Sequence, residues 1–370
     1  MKVSCNREDL FSAFQLVSGV VPARSPKPIL QNVKLVANPE ESVLLATDLE
    51  VGMRCKVGGI EVHTSGEVVL STSRMTAILR ESTDPVLQVE AQENQVQIQG
   101  QRSQYKLTAE SPQEFPEVPN FVDEKYHVIS GPLLRTMIRR TVFATDVEST
   151  RYALNGLLVE LEGNRLSFVG TDGRRLAIMR GTGMAVSGHN TKDFTPVVPT
   201  KAMNLVDKVL QSDDEEVHLA LTPAKVIVRS KRAVVSSRLV EGRFPRYQEV
   251  FPSRSEATVS LNVRDFLQAT RQAAIVTNEA SRGVDYSFAN GKLSLVAQAA
   301  EVGQSQVEMP ISYDATPVTI TFDPRYLIDM LRVLNEESSI TLDLIDHQSA
   351  AVFRTDDGYT YIVMPLTRER

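Results

Sequence analysis

The feature that most constrains this 370-residue chain is a long-period internal repeat. Leu30-Gln31-Asn32-Val33, leading to Ala46-Thr47-Asp48, has a counterpart in Leu154-Asn155-Gly156-Leu157, leading to Gly170-Thr171-Asp172, and both landmarks are offset by 124 residues. A weaker third copy runs from Gly283-Val284 to Ala297-Gln298, where Gly156 to Gly283 and Thr171 to Gln298 are both offset by 127. Self-similarity at a fixed period marks one structural unit used several times. Whatever the first copy folds into, the other two must approximate.

Each copy opens with an amphipathic helix, read from apolar residues at i, i+3, i+4 and i+7. Leu10, Phe14, Val17 and Val21 form the stripe in copy one, Leu134, Met137, Ile138, Thr141 and Val142 in copy two, and Val263, Phe266, Leu267, Thr270 and Ala274 in copy three. A second helix is expected after the Thr-Asp region. Its stripe is Ala202, Leu205, Val206, Val209 and Leu210 in copy two, and Leu327, Met330, Leu331 and Leu334 in copy three, behind Asp323-Pro324, a cap followed by an N1 proline. Met75, Ile78 and Leu79 mark a shorter version in copy one.

Around the helices the period drops to two, as in Leu87/Val89, Val96/Ile98 and Tyr105/Leu107, which indicates half-buried antiparallel strands. Two helices must then cover one face of a sheet in every copy. Phe115-Pro116-Glu117-Val118-Pro119 and Phe244-Pro245-Arg246-Tyr247, 129 residues apart, read as stiff, extended linkers. The expected fold is α+β, with three similar domains at 1–119, 125–250 and 256–370.

Composition closes off several functions. Cys5 and Cys55 form no Cys-x-x-Cys pair, so they are expected to be buried thiols rather than a disulfide framework or a zinc site. His63, His127, His189, His218 and His347 are scattered, and no phosphate-binding, nucleophile-elbow or zinc-protease motif occurs, so neither metal nor cofactor is expected. Asp213 to Glu216 reads as a solvated turn rather than a cation site. The absence of an early apolar segment, or of any run of about 18 apolar residues, gives the expectation of a cytoplasmic chain without a membrane partner.

Eight segments then become specific together: PKPILQNVKL (27–36), ATDLEVGM (46–53), RYALNGLLVE (151–160), TDGRRLA (171–177), KAMNLV (201–206), SSRLVEGRFPRYQEVFP (236–252), NEASRGV (278–284) and YIVMPL (361–366). In order and spacing they resemble the bacterial DNA polymerase III beta subunit family, the replicative sliding clamps. The resemblance covers nearly the whole chain. It implies a non-enzymatic processivity factor, a head-to-tail homodimer closing a ring of six domains around double-stranded DNA, with helices lining the hole. It also implies partners: the polymerase III catalytic subunit, a clamp loader, and other polymerases and repair proteins bearing a Gln-Leu-x-Leu-Phe-like motif.

The resemblance carries over to particular residues. Arg24, Arg80, Arg151, Tyr152 and Lys201 match DNA-contacting positions, and charge and position add Lys27, Arg74, Arg135 and Arg139. Tyr105 and Leu107 match one side of the dimer interface, Ile275 and Val276 the other. A peptide groove is implied at Leu154, Thr171, Gly173, Arg174, Arg175, Leu176, Pro245, Val250, Ile362, Val363, Met364, Pro365 and Leu366. Ala153, Arg174 and Glu249 depart from the common family residues, an aromatic, a histidine and a basic residue respectively, and the chain continues for four residues beyond Leu366.

A net charge of −6 would argue against a nucleic-acid partner if it were spread evenly. It is not. The six expected helices (7–21, 71–82, 130–144, 199–211, 261–277 and 323–335) carry −1, +1, +3, +1, +1 and 0, together +5 against −11 elsewhere. Two alternatives remain at this stage: an enzyme with an interdomain site using Asp48, Asp172 and Arg175, and a structural array of α+β repeats.

Overall fold

The computed structural model describes residues 1–146, 148, 153–211, 214, 216–252 and 254–366. Among these, six α-helices fall two to a copy: α1 (Arg7–Val17) and α2 (Thr72–Glu81), α3 (Gly131–Arg139) and α4 (Thr200–Val209), α5 (Val263–Ala273) and α6 (Pro324–Arg332). Asn6 Oδ1 caps α1 by accepting from the Glu8 and Asp9 N–H groups, Asn262 caps α5 through Asp265 N–H, and Asp323 caps α6 ahead of Pro324. Each helix buries the face that the apolar spacing assigned to it, for example Leu10, Phe14 and Val17 on α1 and Phe266, Leu267 and Thr270 on α5.

Several helices stop short of their apolar stripes. The Ser18 hydroxyl donates back to the Phe14 carbonyl at 2.5 Å and Gly19 follows, so α1 ends at Val17 while Val20 continues into the core. Beyond α3, Thr141 donates to the Met137 carbonyl at 2.7 Å, and its own carbonyl presses on Gly170, where a Cβ would lie 2.3 Å away. Only glycine admits that approach in copy two, where the first and third copies carry Ala46 and Ala297. In copy one the second helix is not shorter: α2 has 10 residues, like α4, within the expected 71–82, and buried Thr72 adds to its inward face a residue that the apolar stripe does not register.

Among the described residues, the strand pairings within each of the two compact units are antiparallel. The first unit comprises residues 1–135 and 183–239. One of its sheets runs, in hydrogen-bonded order, Ile60–Thr64, Lys2–Asn6, Val86–Gln92, Gln95–Gln99 and Gln104–Thr108. The other runs Met184–Val186, Tyr126–Ile129, Val217–Leu221, Lys225–Arg229, Ala233–Arg238, Val51–Lys56, Ser42–Thr47, Asn32–Ala37 and Gly66–Ser71. In its middle the last strand of copy two pairs with a strand of copy one, Val235 opposite Met53.

The second unit, residues 136–182 and 240–370, repeats the device. Its strands run Gly156–Glu162, Arg165–Thr171, Arg175–Thr182, Tyr359–Val363, Ala351–Arg354, Ser339–Leu344 and Ala257–Asn262, with copy two meeting copy three where Ala177 faces Tyr361. Its other sheet runs Gly303–Pro310, Lys292–Ala299, Val284–Ala289 and Val318–Phe322. Three sequence copies therefore give two compact units, because each half of the middle copy is hydrogen-bonded to a neighbour.

The proline segments are packed, not free linkers. Phe115 and Val118 join Val43, Leu45 and Val69 in one cluster, and Phe244 and Tyr247 are buried in the second unit. The Tyr247 hydroxyl donates to Glu160 at 2.7 Å. Asp214 is likewise no solvated turn residue: it is fully buried, its carboxylate accepts from Gln211 N–H at 2.7 Å and its carbonyl from Gly131 N–H at 2.6 Å. Cys5 and Cys55 are buried thiols, and burial pushes Cys5 up to about 12.

Two of the scattered histidines meet in the core. His127, on the strand Tyr126–Ile129, and His189 are both buried, with their Nδ1 atoms 2.8 Å apart so that one donates to the other. His189 Nε2 faces the Leu221 backbone at 3.1–3.2 Å. Burial holds His189 below the ordinary imidazole value, opposed by the Leu221 carbonyl and Asp123 and assisted by Lys125. The unfolded chain then binds more protons than the folded one below about pH 6.5, so this contribution to stability is complete above that pH and declines as pH falls. Urea midpoints measured from pH 8 to pH 5 should fall with acid, and His189→Gln should flatten the lower part of the profile; parallel profiles would refute the assignment.

Candidate nucleic-acid and partner interfaces

The Thr-Asp landmarks are two copies of one turn. In the first, Thr47 Oγ1 donates to the Val51 carbonyl at 3.0 Å and accepts from Leu49 N–H at 2.9 Å, while Asp48 Oδ1 accepts from Glu50 and Val51 N–H at 2.9 and 2.7 Å. In the second, Thr171 Oγ1 donates to the Arg175 carbonyl at 2.6 Å and accepts from Gly173 N–H at 3.1 Å, while Asp172 Oδ1 accepts from Arg174 and Arg175 N–H at 2.9 and 3.0 Å. The third residue is left-handed in both, at φ +80° for Leu49 and +85° for Gly173. Both carboxylates are thus occupied in holding turns, which removes the pair that an enzyme reading would need.

Around the second turn the structure gathers most of the proposed peptide-site residues. Arg175 and Leu176 pair with Val363 and Ile362, and Met364 N–H donates to the Arg174 carbonyl at 2.9 Å. Leu366 N–H donates to the Thr321 carbonyl at 2.8 Å, which holds Pro365 and Leu366 along the strand Val318–Phe322. Met364 is 45% exposed, whereas Leu154, Leu176, Ile362 and Val363 belong to the core and can form only a floor. Pro245 and the 45%-exposed Val250 are held separately, on the segment that Tyr247 fastens to Glu160. Arg174 is exposed, with one guanidinium nitrogen 3.4 Å from the Tyr326 hydroxyl; Glu249 is taken up by Arg246 at 2.9 Å.

Arg175 is not a free groove cation. Its Nε donates to Asp172 at 2.9 Å, Nη1 to Asp329 at 2.7 Å and Nη2 to the Phe143 carbonyl at 2.9 Å, with the guanidinium over the Phe143 and Tyr326 rings. Neither Asp329 nor Phe143 could be found from sequence, since 154 and 32 residues separate them from Arg175 and nothing local marks them.

The proposed DNA-contacting residues divide by what already holds them. Arg24, Lys27, Arg74 and Arg80 are exposed and, among the described residues, form no salt bridge. Arg80 borders a hollow of about 690 Å³ with Pro22, Ala23 and Pro28, so α2 and the Arg24 loop share one surface. Arg74 borders a smaller one with Lys106 and Leu107, toward the edge strand. Arg139 is exposed on α3. Arg135 bonds the Leu210 carbonyl and faces Asp207 at 3.7 Å, and Lys201 donates to Asp48 at 2.5 Å and to the Val20 carbonyl at 3.2 Å. Arg151 and Tyr152 lie outside the described residues. The observed helices, like the expected ones, carry a formal charge of +5 together.

Gln104–Thr108 and Gly303–Pro310 lie at the edges of their sheets and, like the edge strands Ile60–Thr64 and Met184–Val186, contain no buried residue. The first carries half-buried Tyr105 and Leu107. Beside the second, at the end of α5, Ile275 is 76% exposed with Val276 next to it, and Ser305 donates to the Ala273 carbonyl at 2.8 Å.

Models of the DNA polymerase III beta subunit match the chain in three consecutive parts: its N-terminal domain at 1–119, its central domain at 128–246 and its C-terminal domain at 248–367. The chain belongs to the DNA polymerase III beta subunit family. Among curated relatives, the beta sliding clamp of Pseudomonas aeruginosa is 30% identical over 368 residues, covering 99% of this chain and 100% of that one. That of Vibrio cholerae is 28% identical over 369 residues, with 99% and 100% covered. The crystal structure of the Pseudomonas aeruginosa DNA polymerase III subunit beta superposes with a TM-score of 0.90 at 29% identity over 100% of both chains. The Bacillus subtilis sliding clamp, at 22% identity with a TM-score of 0.92 and 100% of both chains covered, shares the fold.

The family accounts for the three-domain α+β architecture, two helices to a domain, and makes the chain a sliding clamp of DNA replication, a non-catalytic processivity factor. Among the described residues no group of three or more histidine, cysteine, aspartate or glutamate side chains is placed to hold a metal, and no helix is long and apolar enough to cross a membrane.

Proposed function

We propose that two copies of this chain close head to tail into a ring around duplex DNA, held by topology rather than sequence readout, and present a peptide groove beside Met364 to their partners. The observation that carries this reading is the junction rule. Twice within the chain, the free edge of one copy's sheet is completed by an edge strand of the next, at Val51–Lys56 with Ala233–Arg238 and at Arg175–Thr182 with Tyr359–Val363. Gln104–Thr108 and Gly303–Pro310 are the corresponding edges left over at the two ends of the series. A second chain supplies the missing partner for each, and closure covers these two edges, which would otherwise be open to pairing with other chains.

Within that ring the domains correspond to residues 1–119, 125–250 and 256–370. Tyr105 and Leu107 meet Ile275 and Val276 of the other copy, which explains why Ile275 is so exposed in a single chain. Exposed Arg24, Lys27, Arg74, Arg80 and Arg139, with Arg151 and Tyr152, supply weak phosphate contacts that permit sliding, while Arg135 and Lys201 add positive potential from bonded positions. The groove takes the leucine and aromatic anchors of Gln-Leu-x-Leu-Phe-like segments, with flexible, exposed Met364 able to repack around different partners. The partners are the polymerase III catalytic subunit, the clamp loader and other polymerases and repair proteins, and the place of action is the cytoplasmic replisome.

Topological binding is tested by loading the protein on nicked circular DNA and then linearising it; retention on circles with loss from linear DNA is expected, and equal retention would refute the ring. For short linear duplex, where only phosphate contacts act, Arg24→Ala with Arg80→Ala should reduce the slope of log affinity against log salt by about two. An unchanged slope would make both ordinary surface charge. Replacing Ile275 and Val276 with aspartate should yield a folded monomer by sedimentation, and a persistent dimer would count against the edge assignment. Val363 is core, so the informative truncation ends there. Removing residues 364–370 should weaken motif-peptide binding by at least about tenfold while the dimer remains.

A further inference from the structure

Arg175 is placed like a contact residue of the groove, yet its chemistry points inward. The side chain is only 10% exposed, and Nε, Nη1 and Nη2 each donate to a separate protein acceptor, Asp172, Asp329 and the Phe143 carbonyl. Its flat faces are covered too, by the Phe143 ring with centroid at 5.4 Å and the Tyr326 ring at 4.6 Å. A planar guanidinium satisfied at its edge and stacked on its faces has little left for a visiting peptide. Arg174, the neighbouring residue, is the exposed one.

The acceptors come from segments far apart in the chain. Asp172 belongs to the Thr-Asp turn, Phe143 to the short turn Val142–Ala144 that follows α3, and Asp329 and Tyr326 to α6 of the third copy. The strand Tyr359–Val363 closes the group, since the Tyr361 hydroxyl donates to the Tyr326 carbonyl at 2.9 Å. Arg175 is therefore where copy two is fastened to α6, next to the sheet junction that begins with Arg175 opposite Val363. From there the connection to the groove is short. The Arg175 carbonyl accepts from Thr171, which fixes the turn; the Arg174 carbonyl accepts from Met364 N–H, which fixes the one exposed methionine of the site.

We infer that Arg175, Asp329 and Phe143 form a clasp that positions the Thr171–Arg175 turn and Met364 for partner binding, with Arg175 acting as a positioning residue and not as a peptide contact. The inference rests on the groove reading and adds to it a determinant on α6. Lysine cannot replace the clasp arginine, because an ammonium lacks the planar fork that reaches two carboxylates and a carbonyl at once. Removing Asp329 leaves a desolvated guanidinium with one carboxylate instead of two, and the turn is free to follow it outward.

The test is fluorescence anisotropy with a labelled Gln-Leu-x-Leu-Phe peptide, combined with methyl NMR of Met364 in the peptide-free protein. Asp329→Ala and Arg175→Lys should each weaken the peptide about tenfold, and the two together should weaken it no more than the worse single variant. The Met364 methyl resonance should move in Asp329→Ala before any peptide is added, while retention on circular DNA stays as in the parent; a general loss of fold would lower both. Wild-type peptide affinity in Asp329→Ala overturns the clasp, and so does a tenfold loss in Arg175→Lys with an unmoved Met364 resonance, which would make Arg175 a direct contact. If the unsubstituted chain fails to bind the peptide, the groove itself is overturned, and the clasp with it.

Discussion

Backbone hydrogen bonding across the copy boundaries is the interaction on which the rest depends. A sheet edge carries a row of unpaired N–H and C=O groups, and burying them beside another domain requires that the neighbour present a matching edge. Here both internal boundaries are solved identically, by antiparallel pairing of a strand from the second sheet of one copy with the last strand of the next. Side chains adjust around that frame. The buried proline segments Phe115–Pro119 and Phe244–Tyr247 lie against the sheets so joined, and the middle copy loses its independence as a compact unit because both of its edges are committed.

The same frame shows how the two junctions differ in the side chains they expose. At the first, Arg238 N–H donates to the Glu50 carbonyl at 3.0 Å, the counterpart of Met364 N–H donating to the Arg174 carbonyl. The residues at those positions differ in kind. Glu50 and Arg238 face each other as an ion pair at 3.6 Å, where the second junction offers an exposed methionine and an exposed arginine. Gly52 stands where copy two has Leu176, and Val118 presses close enough that a Cβ on Gly52 would sit 3.0 Å from it. The first junction is filled by the chain's own valine. Divergence of a few side chains on a repeated backbone has filled one boundary and left Met364 and Arg174 exposed at the other.

Much of this was legible in the sequence, and the reason is periodicity. Helix faces and strand alternation depend on local spacing, and the 124-residue offset on the recurrence of the same short segments. What was missed depends on contacts between residues distant in the chain. His127 and His189 are 62 residues apart and look like isolated surface histidines until the sheet brings them to 2.8 Å. Asp329 is one of two acids on α5 and α6, with Asp265, and it meets Arg175 only because the sheet junction sets α6 against the turn. Thr72 is missing from the apolar stripe of α2, although the expected helix 71–82 includes it, because a buried hydroxyl residue does not enter an apolar count. The proline segments misled for a related reason: their composition describes stiffness, but whether they pack is decided by the surface they lie on.

Charge follows the same logic of position over sum. The chain is acidic overall, yet its helices are net positive, and the basic residues on them are not equivalent. Lys201 is drawn onto Asp48 and the Val20 carbonyl, and Arg135 onto α4, so their charge contributes to the local potential while their donors are occupied. Arg24 and Lys27, on a loop beyond α1, and Arg74 and Arg80, on α2, have no such commitment among the described residues. A bonded cation is held in one place and acts at a distance; an unbonded one can follow a moving phosphate with little strain. In the proposed ring both kinds serve, one to attract a duplex and the other to let it slide: the Arg24 loop and α2 carry unbonded cations, and Lys201 on α4 a bonded one.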